Sequence, residues 1–227
     1  MATSGTTAFA PDFTDIAEEA WEQAGRELRT GYDLRTVRRS MNLLTIEWAN
    51  RGINLWTIDE ASVPMVAGTA SYTLPADTVD MMDQVMRVND GVSATQQDYS
   101  FGRISSSNYS AIPNKLSTGR PVNFWIDRKV AAPVITVWPV PESADYTLYY
   151  WRLRRMEDAG DGSETPDIPF RFLPALIAGL AYHVAMKTPE LTPRSDMLKL
   201  RYEELFKQAA DEDRVKTTVS FKPRIGC

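Results

Sequence analysis

His183 is the only histidine among the 227 residues, so acid–base or metal chemistry is tested there first. One imidazole supplies one metal ligand, and a general base needs an orienting partner and a pocket. His183 stands in a smooth, alanine-rich apolar stretch, which makes it structural or surface-lying in expectation. The single cysteine, Cys227, leaves no internal disulfide and no zinc cluster. The densest carboxylates are Glu157, Asp158, Asp161 and Glu164, set around Gly160 and Gly162. They read as a solvated loop rather than the paired acids of a glycosidase. Gly160-Asp161-Gly162 is followed by no Lys-Ser/Thr, and no Gly-x-Ser-x-Gly occurs, so phosphate-loop and nucleophile-elbow chemistry have no support. Asn108-Tyr109-Ser110 matches a glycosylation acceptor and reads as a chance match. The expectation is a protein that is not an enzyme and takes no cofactor and no metal.

Three groups remain that could bind. Trp125, Trp138 and Trp151 recur in the strand-rich middle and are expected to share one side of a sheet. They would either stack on sugars or bases, or pack on another subunit. Arg35, Arg38 and Arg39 cluster in one predicted helix, and Arg152, Arg154 and Arg155 close a predicted strand. Either cluster would pair with Asp211-Glu212-Asp213, within a chain or between copies, or stay solvated. Near the C-terminus, Val219, Phe221 and Ile225 alternate with Ser220, Lys222 and Arg224. A segment of that kind can add to a sheet edge or dock in a groove; the bland alternative is a disordered end.

Composition narrows the classes. A hydrophobic share of 43% with 24% charged residues is ordinary for a globular protein. The formal net charge of −5 argues against free nucleic-acid binding, while an acidic wall would still let DNA slide past. No apolar run approaches the ~20 residues that cross a bilayer. Residues 1–11 are small and polar, and read as a flexible tail rather than a signal peptide. No membrane partner and a cytosolic origin are expected.

The elements that would position these groups fall in two blocks. Helical spacing predicts helices over 12–28 and 33–51, with Phe13, Ile16, Ala17, Ala20, Trp21 and Ala24 on one stripe and Leu34, Val37, Met41, Leu44 and Trp48 on the other. Asp12 is the expected N-cap of the first, and Gly52 the stop of the second. Strands are predicted over 55–65, 70–74 and 81–88, with Asn89-Asp90-Gly91 a strong turn. Residues 92–118 read as irregular, with one helical turn at 105–110. A three-stranded meander is predicted over 122–127, 134–138 and 146–153, with Val122, Phe124, Ile126, Ile135, Val137, Leu148 and Tyr150 on one face. Helices return over 170–187 and 192–214. The fold class is α+β: N- and C-terminal helix pairs form an antiparallel bundle from 1–54 and 166–216. Residues 55–165 are an inserted antiparallel β-rich domain, and 217–227 an extended tail.

This pattern resembles the head-to-tail adaptor (neck, or tail-tube-protein-A-like) proteins of tailed bacteriophages, the short-tailed type above all. The resemblance covers about 12–215. It is carried by Leu43-Leu44-Thr45-Ile46-Glu47-Trp48-Ala49-Asn50-Arg51-Gly52-Ile53-Asn54-Leu55-Trp56 and Tyr72-Thr73-Leu74-Pro75-Ala76-Asp77. Gly119-Arg120-Pro121, Trp138-Pro139-Val140-Pro141 and the smooth helix at Leu180-Ala181 continue it. The resemblance implies a structural virion protein assembled in the host cytoplasm. It implies a homo-oligomeric ring, commonly of twelve, that joins the portal to a downstream tail or nozzle protein while double-stranded DNA passes unbound. Val219, Phe221, Lys222, Arg224 and Ile225 would then reach the portal. Trp125, Trp138, Trp151, Arg35, Arg38 and Arg39 would serve subunit or tail contacts. Closure of a ring needs head-to-tail contacts and two different adhesive surfaces; the tryptophan row and the flank of the third long helix are the candidates. The alternatives are a tail nozzle or head-completion component, or a carbohydrate-binding β module.

Overall fold

A computed structural model describes Gly5 and residues 9–52, 55–161 and 163–212. These divide into two compact units. One combines the chain up to Leu55 with the chain from Met156 onward; the other is Trp56–Arg155.

The first unit is helical. Helix α1, Phe13–Ala24, starts on a capping box in which the Asp15 amide donates to Asp12 Oδ1 at 2.8 Å, and it ends at Gly25 with φ of 102°. The stop comes at 24 rather than 28 because Gly25 takes up the left-handed conformation. Helix α2, Gly31–Asn50, starts on Thr30, whose hydroxyl accepts from the Asp33 amide. Helix α4, Leu173–Lys187, buries Leu176, Gly179, Leu180, Ala181 and Val184, and packs on α1, α2 and α5 (Ser195–Glu212). A helix apolar around most of its surface is one that neighbours cover on several sides. The predicted starts at 170 and 192 are 3-10 turns, Phe170–Phe172 and Thr192–Arg194, that lead into α4 and α5. Residues 213 and 214, expected to end the last helix, lie outside the described residues.

Residues 156–161 and 163–165 pack with the helices, so the unit boundary falls earlier than the expected 165. The Ala159 amide donates to Asn42 Oδ1 at 3.0 Å, and the Phe13 amide to the Glu164 carbonyl at 3.1 Å.

The second unit is a pair of four-stranded sheets and one short pair. One sheet orders β1 (Ile58–Pro64), β10 (Tyr146–Arg154), β3 (Thr78–Val88) and β4 (Gln97–Ser100), all antiparallel. The other orders β2 (Ser71–Thr73), β8 (Val134–Trp138), β7 (Asn123–Asp127) and β5 (Gly102–Arg103). The β5–β7 pair is parallel, as is β6 (Thr118–Gly119) with β9 (Val140–Pro141), so the sheets are not wholly antiparallel as expected. Phe124, Ile126, Ile135 and Val137 from one sheet join Met86, Leu148 and Tyr150 from the other in a single buried cluster. The predicted meander is therefore split: β7 and β8 form a hairpin, while β10 runs at the centre of the opposite sheet. Alternation alone gives the same pattern in either case, because a residue facing the core does so from either sheet.

The stretch 92–118, expected to be irregular but for one helical turn at 105–110, has that turn as the short helix α3, Ser106–Ser110, and also contains β4 and β5. Strand β4 reads Gln-Asp-Tyr-Ser and lies at a sheet edge. Its polar, exposed residues give no hydrophobic signal.

Candidate assembly surfaces

The helical unit carries a polar network that runs from buried Trp48 and Tyr202 out to exposed charges, and two contrasting outer faces. At the exposed end of the network, Arg51 joins α2 to α5. Its guanidinium donates to both carboxylate oxygens of Glu203 at 2.8 Å and to Glu47 Oε1 at 2.6 Å. It also lies over the Phe206 ring at 4.6 Å. The Glu203 hydrogen bond raises the Arg51 pKa, and Arg51 holds the Glu203 carboxyl below its usual range. Tyr202 accepts from the Trp48 indole N–H and donates to Glu47. Burial pushes its phenol up.

His183, half-buried, lies beside this network. Its Nε2 is 3.7 Å from Glu47 Oε2. Burial lowers its pKa, the Glu47 charge opposes that, and Lys187 reinforces it. The Lys187 ammonium donates to Ser40 Oγ at 2.7 Å and is itself lowered by burial, then by Arg39. Among the described residues no group of His, Cys, Asp and Glu could hold a metal ion. None of their helices is long and apolar enough to cross a membrane.

The first outer face belongs to α1. Asp15, Glu18, Glu19 and Glu22 all stand exposed along it, and Asp15 and Glu19 form one wall of a groove of about 810 Å³. Ile16, Leu173, Pro174 and Ile177 make the apolar floor, with Phe9 and Phe170 at its margin. Phe170 is 78% exposed, so the groove is open to solvent.

The second outer face belongs to α2. Tyr32, Arg35, Arg39, Leu43 and Ile46 recur at helical spacing and are all exposed. Leu43 is 57% and Ile46 58% accessible, unusually open for aliphatic residues in the middle of a packed helix. Arg38, predicted to join its neighbours, turns inward instead. Its guanidinium donates to the Asp161 carbonyl and lies over the Phe13 ring. Arg35 and Arg39 have no ion-pair partner among the described residues. Arg35 and Arg39 were candidates from the sequence; the groove and the exposed Leu43 and Ile46 beside them were not, and only the 32, 35, 39, 43, 46 spacing within α2 could have disclosed the whole second face.

The β-unit candidates resolve differently. Trp125 and Trp138 share the outer face of one sheet, where Trp125 opposes Thr136 and Trp138 opposes Asn123. Their own chain covers them in part, leaving both half-buried. The Tyr109 ring stacks on Trp125 at 5.7 Å, and the Trp138 indole donates to the Asn114 carbonyl at 3.0 Å. Trp151 lies opposite Glu60 on the other sheet. The three do not form one row, because β10 left the meander. Arg152 and Arg154 pair within the β unit, at 2.5 Å to Asp77 and 2.9 Å to Asp59 respectively. Val219, Phe221, Lys222, Arg224 and Ile225 lie outside the described residues.

The family model described as SU10 adaptor protein matches residues 11–223, nearly the whole chain and both units. No curated protein matches it. The family is structural rather than enzymatic, its members are virion components, and the mixed α+β architecture above is what the match runs through. The chain belongs to the SU10 adaptor protein family, a family of bacteriophage head-to-tail adaptors.

Proposed function

We propose that this protein is the subunit of a closed adaptor ring, commonly of twelve copies, that sits between the portal and a downstream tail or nozzle protein of a short-tailed phage. The family match over residues 11–223 carries this reading. In it, the N- and C-terminal helices act as one antiparallel bundle that tiles around the ring axis, and the β-rich insertion engages the next tail component. The net charge of −5 suits a lumen that repels DNA phosphates and lets the duplex pass without sticking. Many modest contacts act together in a ring, so no single interface needs to be strong. Assembly takes place in the host cytoplasm, and the finished ring is part of the virion.

The C-terminal segment holding Val219, Phe221, Lys222, Arg224 and Ile225 is the proposed portal contact. Its alternation of apolar and basic residues fits addition to a sheet edge or a groove. Truncation after Thr217 tests it by pull-down on purified portal, with circular dichroism as the check on folding. The expected result is lost portal binding with an unchanged spectrum. Full binding by the truncated chain removes the segment from the interface.

A further inference from the structure

The two outer faces of the helical unit complement each other in charge and in apolar character. On α2, Arg35 and Arg39 are four residues apart and are followed by exposed Leu43 and Ile46. On α1, Asp15 and Glu19 are four residues apart and stand beside an apolar floor of Ile16, Leu173 and Ile177. Residues four apart on a helix rise about 6 Å, so the two guanidiniums and the two carboxylates repeat at the same pitch. The aliphatic pair on α2 has the chemistry of the groove floor. No residue of the α2 stripe lines the groove, so the two faces are separate surfaces, and in a head-to-tail contact each copy gives its stripe to one neighbour and its groove to the other.

We propose that the α2 stripe of one copy docks into the α1 groove of the next. Arg35 and Arg39 then meet the α1 carboxylates, and Leu43 and Ile46 cover the apolar floor. This rests on the ring reading above and assigns its lateral interface. Charge complementarity selects the occupant. A basic and apolar stripe finds an acidic and apolar groove on an identical molecule, and charges so arranged fix register and suppress wrong pairings. Taken head to tail the contact is heterologous, and it closes a ring where the rotation between copies divides a full turn. Arg38, held to Asp161 and Phe13, takes no part.

Charge exchange tests this. Asp15 is left intact because it caps α1; the groove variant is E19K/E22K and the stripe variant is R35E/R39E. Each is compared with the wild-type chain by mass photometry, alone and on purified portal, with circular dichroism confirming the fold. The expected result is assembly weakened about tenfold or more in each variant alone, since like charges then face each other. An equimolar mixture of the two recovers assembly, because an acidic stripe then meets a basic groove and a basic stripe meets an acidic groove. Recovery in the mixture cannot come from two separately damaged folds. Wild-type assembly by either variant alone, or no recovery in the mixture, overturns the interface and leaves the adaptor reading in place. No assembly by the wild-type chain, alone or on portal, overturns both.

Discussion

The Trp48 indole N–H donates to the Tyr202 hydroxyl at 2.9 Å across 154 residues of sequence. Both rings are almost fully buried, and Trp48 also packs on Phe172 and Phe206 with ring centroids 5.5 and 5.6 Å away. This contact ties a helix from the first part of the chain to one from the last. Tyr202→Phe keeps the packing but leaves the indole donor buried without an acceptor, at a cost of about 1–3 kcal/mol. Trp48→Phe removes the donor. In urea melts followed by circular dichroism, the double variant W48F/Y202F is expected to lose less than the sum of the two single losses. Simple additivity would mean that the hydrogen bond carries no stability.

Gly179 marks the closest approach in the same unit. A Cβ there would lie 2.9 Å from Leu44 Cδ2 and 3.0 Å from Tyr202 Cε2. Alanine has the better helix propensity, by up to about 1 kcal/mol, and sets that gain against the crowding. Gly179→Leu has no room at all, and overpacking of this kind costs about 1–3 kcal/mol or more. A thermal melt is expected to show a clearly lower Tm for G179L. An unchanged Tm would mean that α2 and α5 do not hold α4 this tightly.

His183 sets an acid-side slope on stability. Its pKa is lowered from 6.5 by burial, with Glu47 opposing and Lys187 assisting. The unfolded chain therefore takes up the proton first, and stability present above pH 6.5 is lost as the pH falls from there to the depressed folded value. The carboxyls of Asp77, Asp98 and Glu203, lowered by Arg152, Arg87 and Arg51 respectively, contribute only at more acidic pH. Urea midpoints taken across pH 7 to 5 are expected to fall for the wild-type chain and to flatten for His183→Gln. A midpoint that rises on acidification would mean that the Glu47 attraction outweighs burial.

Local chemistry made the helices legible. The Asp12 cap and the Trp48 stripe follow from nearest neighbours and the 3.6-residue period, whereas the left-handed stop at Gly25 was missed. The inward positions of the strands were legible for the same reason: Phe124, Ile135, Leu148 and Tyr150 are all buried. What alternation does not encode is which sheet a strand joins, so the place of β10 and of Trp151 was misread. Helical spacing alone likewise does not separate Arg38, turned onto Phe13, from Arg35 and Arg39, turned to solvent. The groove is built from α1 and the start of α4, and no single window of sequence contains it.

The central claim is that copies of this chain join side by side around an axis and seat on the portal. Negative-stain electron microscopy of the purified protein mixed with portal tests it most directly. The account predicts a closed ring of added density, with rotational symmetry, on one end of the portal particle. Bare portal particles beside dispersed single copies would contradict it.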